Sequence, residues 1–260
     1  MGLGIKTAVK SSLRDIASLA YKKKCPVCGK RVRNFDPLPD FYLDSAKKYN
    51  FPHSYDLGET LNYKEYSCPN CGSSDRDRLY ALYIGRNTSP EKKYKLLDIA
   101  PAKALRNFLK KKENVLYRSA DLYNKDVDDT GVDITNMTNY PSETFDIFIC
   151  SHVLEHVVDD RKAMRELYRV LKGGGFGIAM VPIVMGLKEI DEDPGLNDIA
   201  ERWRRFGQDD HLRLYSKSAF TDRLRECGFT VGEVTQKDFA EGEFLKYGLS
   251  PTSVLYIVKK

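Results

Sequence analysis

No apolar stretch in this 260-residue sequence approaches the roughly 20 residues that a membrane-spanning helix needs. Residues 1–20 also lack the layout of a secretory signal peptide, so we expect a cytoplasmic, reducing setting with no membrane span. In that setting the six cysteines are not a disulfide framework. No arginine-rich stripe, internal repeat or low-complexity tract is visible. The net charge of +5 permits an anionic partner, but lysines and arginines are interleaved with acids, so a nucleic-acid partner is not expected.

What is present is the composition of an ordinary globular protein, 42% hydrophobic and 30% charged, long enough for one main domain and a small satellite. The opening segment places Leu3, Ile5, Val9, Leu13, Ile16 and Leu19 among Lys and Arg at helical spacing. We expect residues 1–20 to form an amphipathic helix on the protein's own core, with a membrane surface as the lesser alternative.

Four of the cysteines form two matched pairs, "CPVCGK" (Cys25, Cys28) and "CPNCGS" (Cys68, Cys71). Two such turns supply four thiolates to one tetrahedral zinc ion, and a site so filled has no open position for catalysis. Its contribution is folding energy for a module spanning residues 21–76. The segment between the pairs is aromatic (Phe35, Phe41, Tyr42, Tyr49, Phe51, Tyr55, Tyr63), enough for a small core with some rings left over as a lid. Cys150 and Cys227 sit where buried packing is expected, and His53 is a loop residue.

From residue 94 strands alternate with helices, the signature of a mainly parallel sheet covered on both faces. Strands are expected at "YKLLDIA", "NVLYRSADL", "GVDITNM", "TFDIFIC", "FTVGEVTQ" and "SVLYIVKK". Helices are expected at "PAKALRNFLKKK", with Pro101 first, from Asp159–Asp160 onward, and at "SKSAFTDRLRECG". "GGGFGIAMVPI" reads as a helix stop followed by a strand.

"CSHVLEHVVDD" contains His152, Glu155 and His156 in the H-x-x-E-H spacing of a helical metallopeptidase site. The seven preceding residues read as a strand, so a turn would break the register that aligns the two imidazoles, and no third ligand is specified. A peptidase is therefore the last reading, and His156 is assigned to satisfying backbone groups at the helix start.

The block "FDIFICSHVLEHVVDDRKAMRELYRVLKGGGFGIAMVPI", with "CPNCGSSDRDRLYALYI", "LLDIAP", "ADL" and "FGQDDHLRLYSKSAFTDRLRECGF", resembles class I S-adenosylmethionine-dependent methyltransferases. It is especially similar to the bacterial zinc-ribbon branch often associated with glycosyltransferases. The resemblance implies a Rossmann-like seven-stranded sheet with its last strand antiparallel, occupying residues 77–260. It places Asp98, Ala100 and Pro101 at the end of the first strand, although "DIAPAKA" has no glycine where many relatives have several. Asp121 and Leu122 would meet the ribose diol, Asp133 and Ile134 the adenine, and Ser151, His152 and Leu154 the methionine moiety. A strand-end or turn-stabilising carboxylate remains the alternative for each acid.

His211, with Asp210 (or Asp209) orienting it, is the candidate base for a hydroxyl acceptor, and a helix-capping histidine is the alternative. Arg213 is a candidate for holding an anionic group; so are Arg76 and Arg78, or else they belong to a solvated helix face paired to Asp75 and Asp77. The leading expectation is O-methylation of a sugar, glycan or related small molecule in polysaccharide biosynthesis, with glycosyltransferases of the same pathway as partners. An RNA methyltransferase gripping RNA through the zinc ribbon comes second, and a non-catalytic zinc-containing binding protein third.

Overall fold

The computed structural model describes residues 23–260, so the expected helix over residues 1–20 lies outside the described residues. The chain begins with two knuckles of the same design. Strands β1 (Lys23–Lys24) and β2 (Arg31–Val32) flank the first, in which Gly29 donates to the Cys25 carbonyl at 2.9 Å. In the second, Gly72 donates to the Cys68 carbonyl at 2.8 Å. Both glycines adopt left-handed backbone (φ 75 and 72), which is why a glycine follows each C-x-x-C pair. Between the knuckles lies helix α1 (Asp40–Lys48). Helix α2 (Asp75–Asn87) leaves the second knuckle under a capping box, in which Ser74 and Asp77 satisfy each other's backbone N–H. The expected boundary at 76/77 thus falls within the first turn of a continuous helix.

The main sheet contains β3 (Tyr94–Ile99), β4 (Val115–Asp121), β5 (Asp129–Thr130), β6 (Phe145–Ser151), β7 (Leu171–Met180), β10 (Thr230–Val234) and β11 (Leu255–Lys259). Their spatial order is β10-β11-β7-β6-β3-β4-β5, parallel except that β11, the last in the chain, runs antiparallel between β7 and β10. This is the expected seven-stranded Rossmann-like sheet. Helices α3 (Lys103–Leu109), α4 (Asp160–Val170), α5 (Ile199–Phe206), α6 (Lys217–Glu226) and the short α7 (Glu243–Tyr247) complete it. A two-residue ribbon, β8 (Asp191–Glu192) with β9 (Arg213–Leu214), ties down the loop after β7.

The core follows the pattern of continuous apolar strands: Leu96, Leu97, Ile147, Phe148, Ile149 and Ile178 are all buried, as are Cys150 and Cys227. Chain order reverses across β3, which has β4 on one side and β6 on the other. The crevice at their carboxyl ends is where such sheets bind ligands.

Three local expectations are corrected. "GVDITNM" is a pair of turns rather than a strand. Its Asp133 carboxylate accepts from Thr135 N–H and its carbonyl from Asn136 N–H, which closes the backbone on itself and leaves β5 as the edge strand. Pro101 precedes Ala102, the N-cap of α3, and so stands outside the helix. The glycines 173–175 lie inside β7 and do not stop α4. A Cβ at Gly175 would sit 2.6 Å from the Asp146 carbonyl, so glycine there permits the close approach to β6.

Candidate active site

Two non-glycine residues at the switch point have positive φ, Ala100 at 50° and His152 at 58°. Both follow directly on strand ends, β3 and β6, and each is held by a ladder-like bond: Ala100 N–H to the Ala120 carbonyl at 2.9 Å, His152 N–H to the Met180 carbonyl at 2.8 Å. The loop after β3 therefore makes the same left-handed turn a glycine would allow, with Ala100 bearing the strain.

The acids expected to hold the cofactor stand at the carboxyl ends of neighbouring strands. Asp98 is buried and accepts from the Tyr117 hydroxyl at 2.8 Å; burial pushes its carboxyl up to about 7. One oxygen of Asp121 accepts from the backbone of Tyr123 and Asn124 at 2.7 and 2.8 Å, which fixes the carboxylate and leaves its other oxygen without a hydrogen bond among the described residues. Leu122 is exposed and Ile134 buried. Exposed Asp133 closes its own turn by accepting from Thr135, at 2.8 Å from both N–H and hydroxyl, while Ser151 pairs with the Tyr80 hydroxyl at 2.8 Å. The set fits a nucleoside-bearing cofactor: a fixed carboxylate with a free oxygen for a diol, a small side chain at the close turn, and a buried acid beneath.

Beside this rim lies a cavity of about 260 Å³. Its floor is His152, Glu155, His156 and His211, its walls are Pro182–Val184 and Phe206, and its roof is Tyr42, Phe51 and Tyr55 from the aromatic module. The module is sewn to the sheet there. Glu59 N–H donates to the Ile183 carbonyl at 3.0 Å, Met185 N–H to the Leu57 carbonyl at 2.7 Å, and the Tyr256 hydroxyl to Glu59 Oε1 at 2.6 Å. Three of the aromatics thus cover the cavity. Phe35 fills the module core, and Tyr49 stacks on Trp203 of α5 with ring centroids 5.8 Å apart.

The residues 154–156 form a single 3-10 turn, not the long helix a metallopeptidase would need, which disposes of that reading. The turn is clamped from below. Arg213, 1% exposed, donates to the carbonyls of Leu154 (2.7 Å), Val157 and Val158 (3.0 Å), and pairs with Glu192. Arg213 therefore holds no external anion. Arg78 is likewise internal: it donates to the carbonyls of Glu65, Tyr66, Ser73, Tyr247 and Gly248 and lies 3.7 Å over the Phe35 ring. Neither is on a solvated face, because a chain that must bury several loop carbonyls needs a multi-donor cation among them. Arg76 alone of the three lines the cavity, donating to His152 Nε2 at 2.6 Å.

His211 is 2% exposed, and burial depresses its pKa, so it is neutral. Its Nδ1 donates to the Phe206 carbonyl at 3.1 Å, which turns Nε2 toward Glu155. Asp210 does not orient His211. Its carboxylate lies 3.3 Å from Nδ1 of His156 and lowers its own pKa by that contact. His156 thereby becomes part of the site rather than a helix-start residue, its pKa raised despite burial by Asp210 and Glu155. Burial and the neighbouring Arg76 push His152 down to about 4, leaving it neutral.

Glu155 was missed as a site residue because the sequence ties its meaning to a helix. It is fully buried, and neither carboxylate oxygen has a hydrogen-bond partner among the described residues. Burial raises its pKa, but the hydrogen-bonding contact from His152 and the positive charge that the imidazole cluster can carry, on His156 above all, outweigh this and bring it to about 2.

The four knuckle cysteines form a second centre. Cys25 and Cys71 Sγ are 3.8 Å apart, and Cys28 and Cys68 Sγ 3.9 Å. Tetrahedral zinc with bonds of about 2.3 Å requires sulfur separations of about 3.8 Å, so the thiolates fit that ion.

Residues 84–179 match the family model described as a methyltransferase domain. Among solved structures the chain is similar to a SAM-dependent methyltransferase from Archaeoglobus fulgidus, with 14% identity over 74% of this chain and 96% of that one (TM-score 0.47). It is also similar to an S-adenosylmethionine-dependent methyltransferase from Mesorhizobium loti, with 13% identity over 69% and 97% (TM-score 0.43). For the CurJ carbon methyltransferase the identity is 16% and the TM-score 0.44; the match takes in 70% of this chain, which spans about half (52%) of that one. No curated protein matches the chain.

Proposed function

We propose, from the match of residues 84–179 to a methyltransferase-domain model, that this chain is a class I S-adenosylmethionine-dependent methyltransferase that methylates a hydroxyl of a sugar, glycan or related small molecule. The observation that carries the reading is the cavity beside the strand ends, roofed by aromatic rings and floored by imidazoles and a carboxylate. Flat rings over a polar floor suit a compact acceptor with an apolar face and several hydroxyls, and the cavity is sized for one small unit, not a duplex.

When bound, S-adenosylmethionine supplies an electrophilic methyl group on a sulfonium. Asp121 would hold its ribose hydroxyls, Ala100 would let the chain approach it closely, and Asp133 with Ile134 would meet its adenine. Asp98, Ser151, His152 and Leu154 would support the methionine end. The roofing rings and Arg76 orient the acceptor behind the methyl carbon, so much of the acceleration comes from alignment. The four thiolates would hold one structural zinc, whose contribution would be to organise the module that roofs the cavity. On this reading the acceptor comes from glycosyl-transfer chemistry in the cytoplasm, and glycosyltransferases of that pathway are the expected partners.

Purified protein incubated with labelled S-adenosylmethionine and pools of sugar nucleotides or glycans tests this. Label should enter those pools through an ether oxygen. Transfer to RNA alone, or no calorimetric heat with the cofactor, would sink the proposal.

A further inference from the structure

Three imidazole nitrogens converge on one oxygen of Glu155, His152 Nδ1 in a marginal contact at 3.4 Å and two others too far for hydrogen bonds, His156 Nε2 at 3.9 Å and His211 Nε2 at 4.0 Å from Oε1. A fully buried carboxylate with both oxygens unpartnered is costly, and such a charge ordinarily is paired or coordinates a metal. The surroundings are those of ligands already aimed. His211 donates Nδ1–H to the Phe206 carbonyl, and His156 directs Nδ1 to the Asp210 carbonyl and carboxylate, each at 3.3 Å. Both rings therefore turn Nε2, as the free lone pair, toward Glu155. Metal-binding histidines almost always have this second-sphere arrangement, which fixes tautomer and ring angle. His152 differs, because Arg76 occupies its Nε2.

We propose that Glu155, His156 and His211 form a divalent-metal site whose open coordination positions face the cavity and take a hydroxyl of the methyl acceptor. The three donor atoms lie within 4.8 Å of one another. Bonds of about 2.0–2.2 Å in tetrahedral or octahedral geometry place neighbouring donors roughly 3–3.5 Å apart, so small side-chain rotations close the site. Two imidazoles and one carboxylate suit a first-row ion such as manganese, cobalt or zinc, and three protein ligands leave room for substrate. The site is separate from the four thiolates, which leave no such opening.

The chemistry rests on the hydroxyl-methylation reading, although the ligand set does not. On coordination the acceptor hydroxyl gives its proton to solvent water. Its oxygen then forms a bond to the methyl carbon as the sulfur–methyl bond breaks, and that electron pair stays on sulfur. Lewis-acid coordination thus replaces the neutral His211 as the means of activating the nucleophile.

Titrating Mn²⁺ into the zinc-loaded full-length protein, followed by the loss of the free-ion electron paramagnetic resonance signal, tests the site without any methyl transfer. Manganese does not compete for thiolates, so the expected result is one bound equivalent. Glu155→Gln, which keeps shape and loses charge, should weaken binding at least 100-fold. His156→Gln should do the same, and because His156 is half-exposed it keeps the test alive if the first variant does not fold. Absence of binding to the wild type, or binding unchanged in both variants, would overturn the proposal. Manganese bound while S-adenosylmethionine gives no heat would leave the metal site standing and remove the proposed function. Hydroxyl methylation at full rate without any divalent ion would overturn the metal's role in activating the acceptor and leave the proposed function standing.

Discussion

The loop after β3 offers a sharp test, because it makes a left-handed turn on an alanine. Ala100 has φ 50, whereas Ala104, four residues on, lies within helix α3. An L-residue pays about 1–2 kcal/mol in left-handed backbone, while replacing alanine by glycine costs about 0.4–1 kcal/mol through the freer unfolded chain. At Ala100 the two terms oppose each other, so Ala100→Gly should be neutral or stabilising by about 1 kcal/mol. At Ala104, inside α3, there is no strain to relieve, so Ala104→Gly should destabilise by about 0.5–1 kcal/mol. The difference, about 1–2 kcal/mol, corresponds to at least about 2–4 °C between the two midpoints for a chain of this size. Thermal unfolding of zinc-loaded protein reads it directly. Ala100→Val places a β-branched residue at positive φ and should both destabilise the fold and weaken S-adenosylmethionine binding in calorimetry. If the two glycine variants lose stability equally, Ala100 bears no strain. In that case the loop after β3 makes its turn without strain on an alanine.

Three other outcomes follow from the same coordinates. Arg78→Met should cost about 3–5 kcal/mol in urea unfolding, because five buried carbonyls lose a charged donor at once; Arg78→Lys should not restore it, lacking the planar fork, and a loss under about 1 kcal/mol would show that water takes over. Asp98 has a folded-state pKa of about 7, above its ordinary value of 3.8, so the folded state keeps a proton that the unfolded state releases. Its contribution to stability is therefore fully present below about pH 4 and is lost as pH rises to 7, by up to roughly 4 kcal/mol at about 1.36 kcal/mol per unit. Stability profiles of wild type and Asp98→Asn that run parallel from pH 4 to 8 would contradict this. Stripping the four thiolates of zinc with a strong chelator should open residues 25–71 to protease while β3–β7 stay protected, and an unchanged cleavage pattern would argue that the module folds without metal.

Much of this molecule is written in local patterns. The paired C-P-x-C-G turns announce their own geometry, because each needs only a few neighbouring residues and one left-handed glycine. The buried strands and the helices from Asp160 and Lys217 are legible for the same reason, since apolar period, N-cap and helix stop all act within a dozen residues. "GVDITNM" misled because its apolar residues alternate as in a strand, while the Asp133 side chain competes for the backbone and wins.

What the sequence could not decide was which charges would end up inside. Arg78 and Arg213 read as candidates for holding an anionic group until the loops they anchor, from distant parts of the chain, are folded around them. Asp210 precedes His211 directly but turns to His156, since the backbone after α5 points the two side chains in different directions. The meeting of Glu155 with His211 likewise depends on β9 crossing beneath the 3-10 turn, a contact between segments more than fifty residues apart. Composition and periodicity determined the sheet and the thiolate knuckles because short-range sterics and hydrophobic period suffice for them. The floor of the cavity, where a desolvated carboxylate faces two aimed imidazoles, was settled by tertiary packing alone, because burial, not residue type, sets what an ionisable group must do.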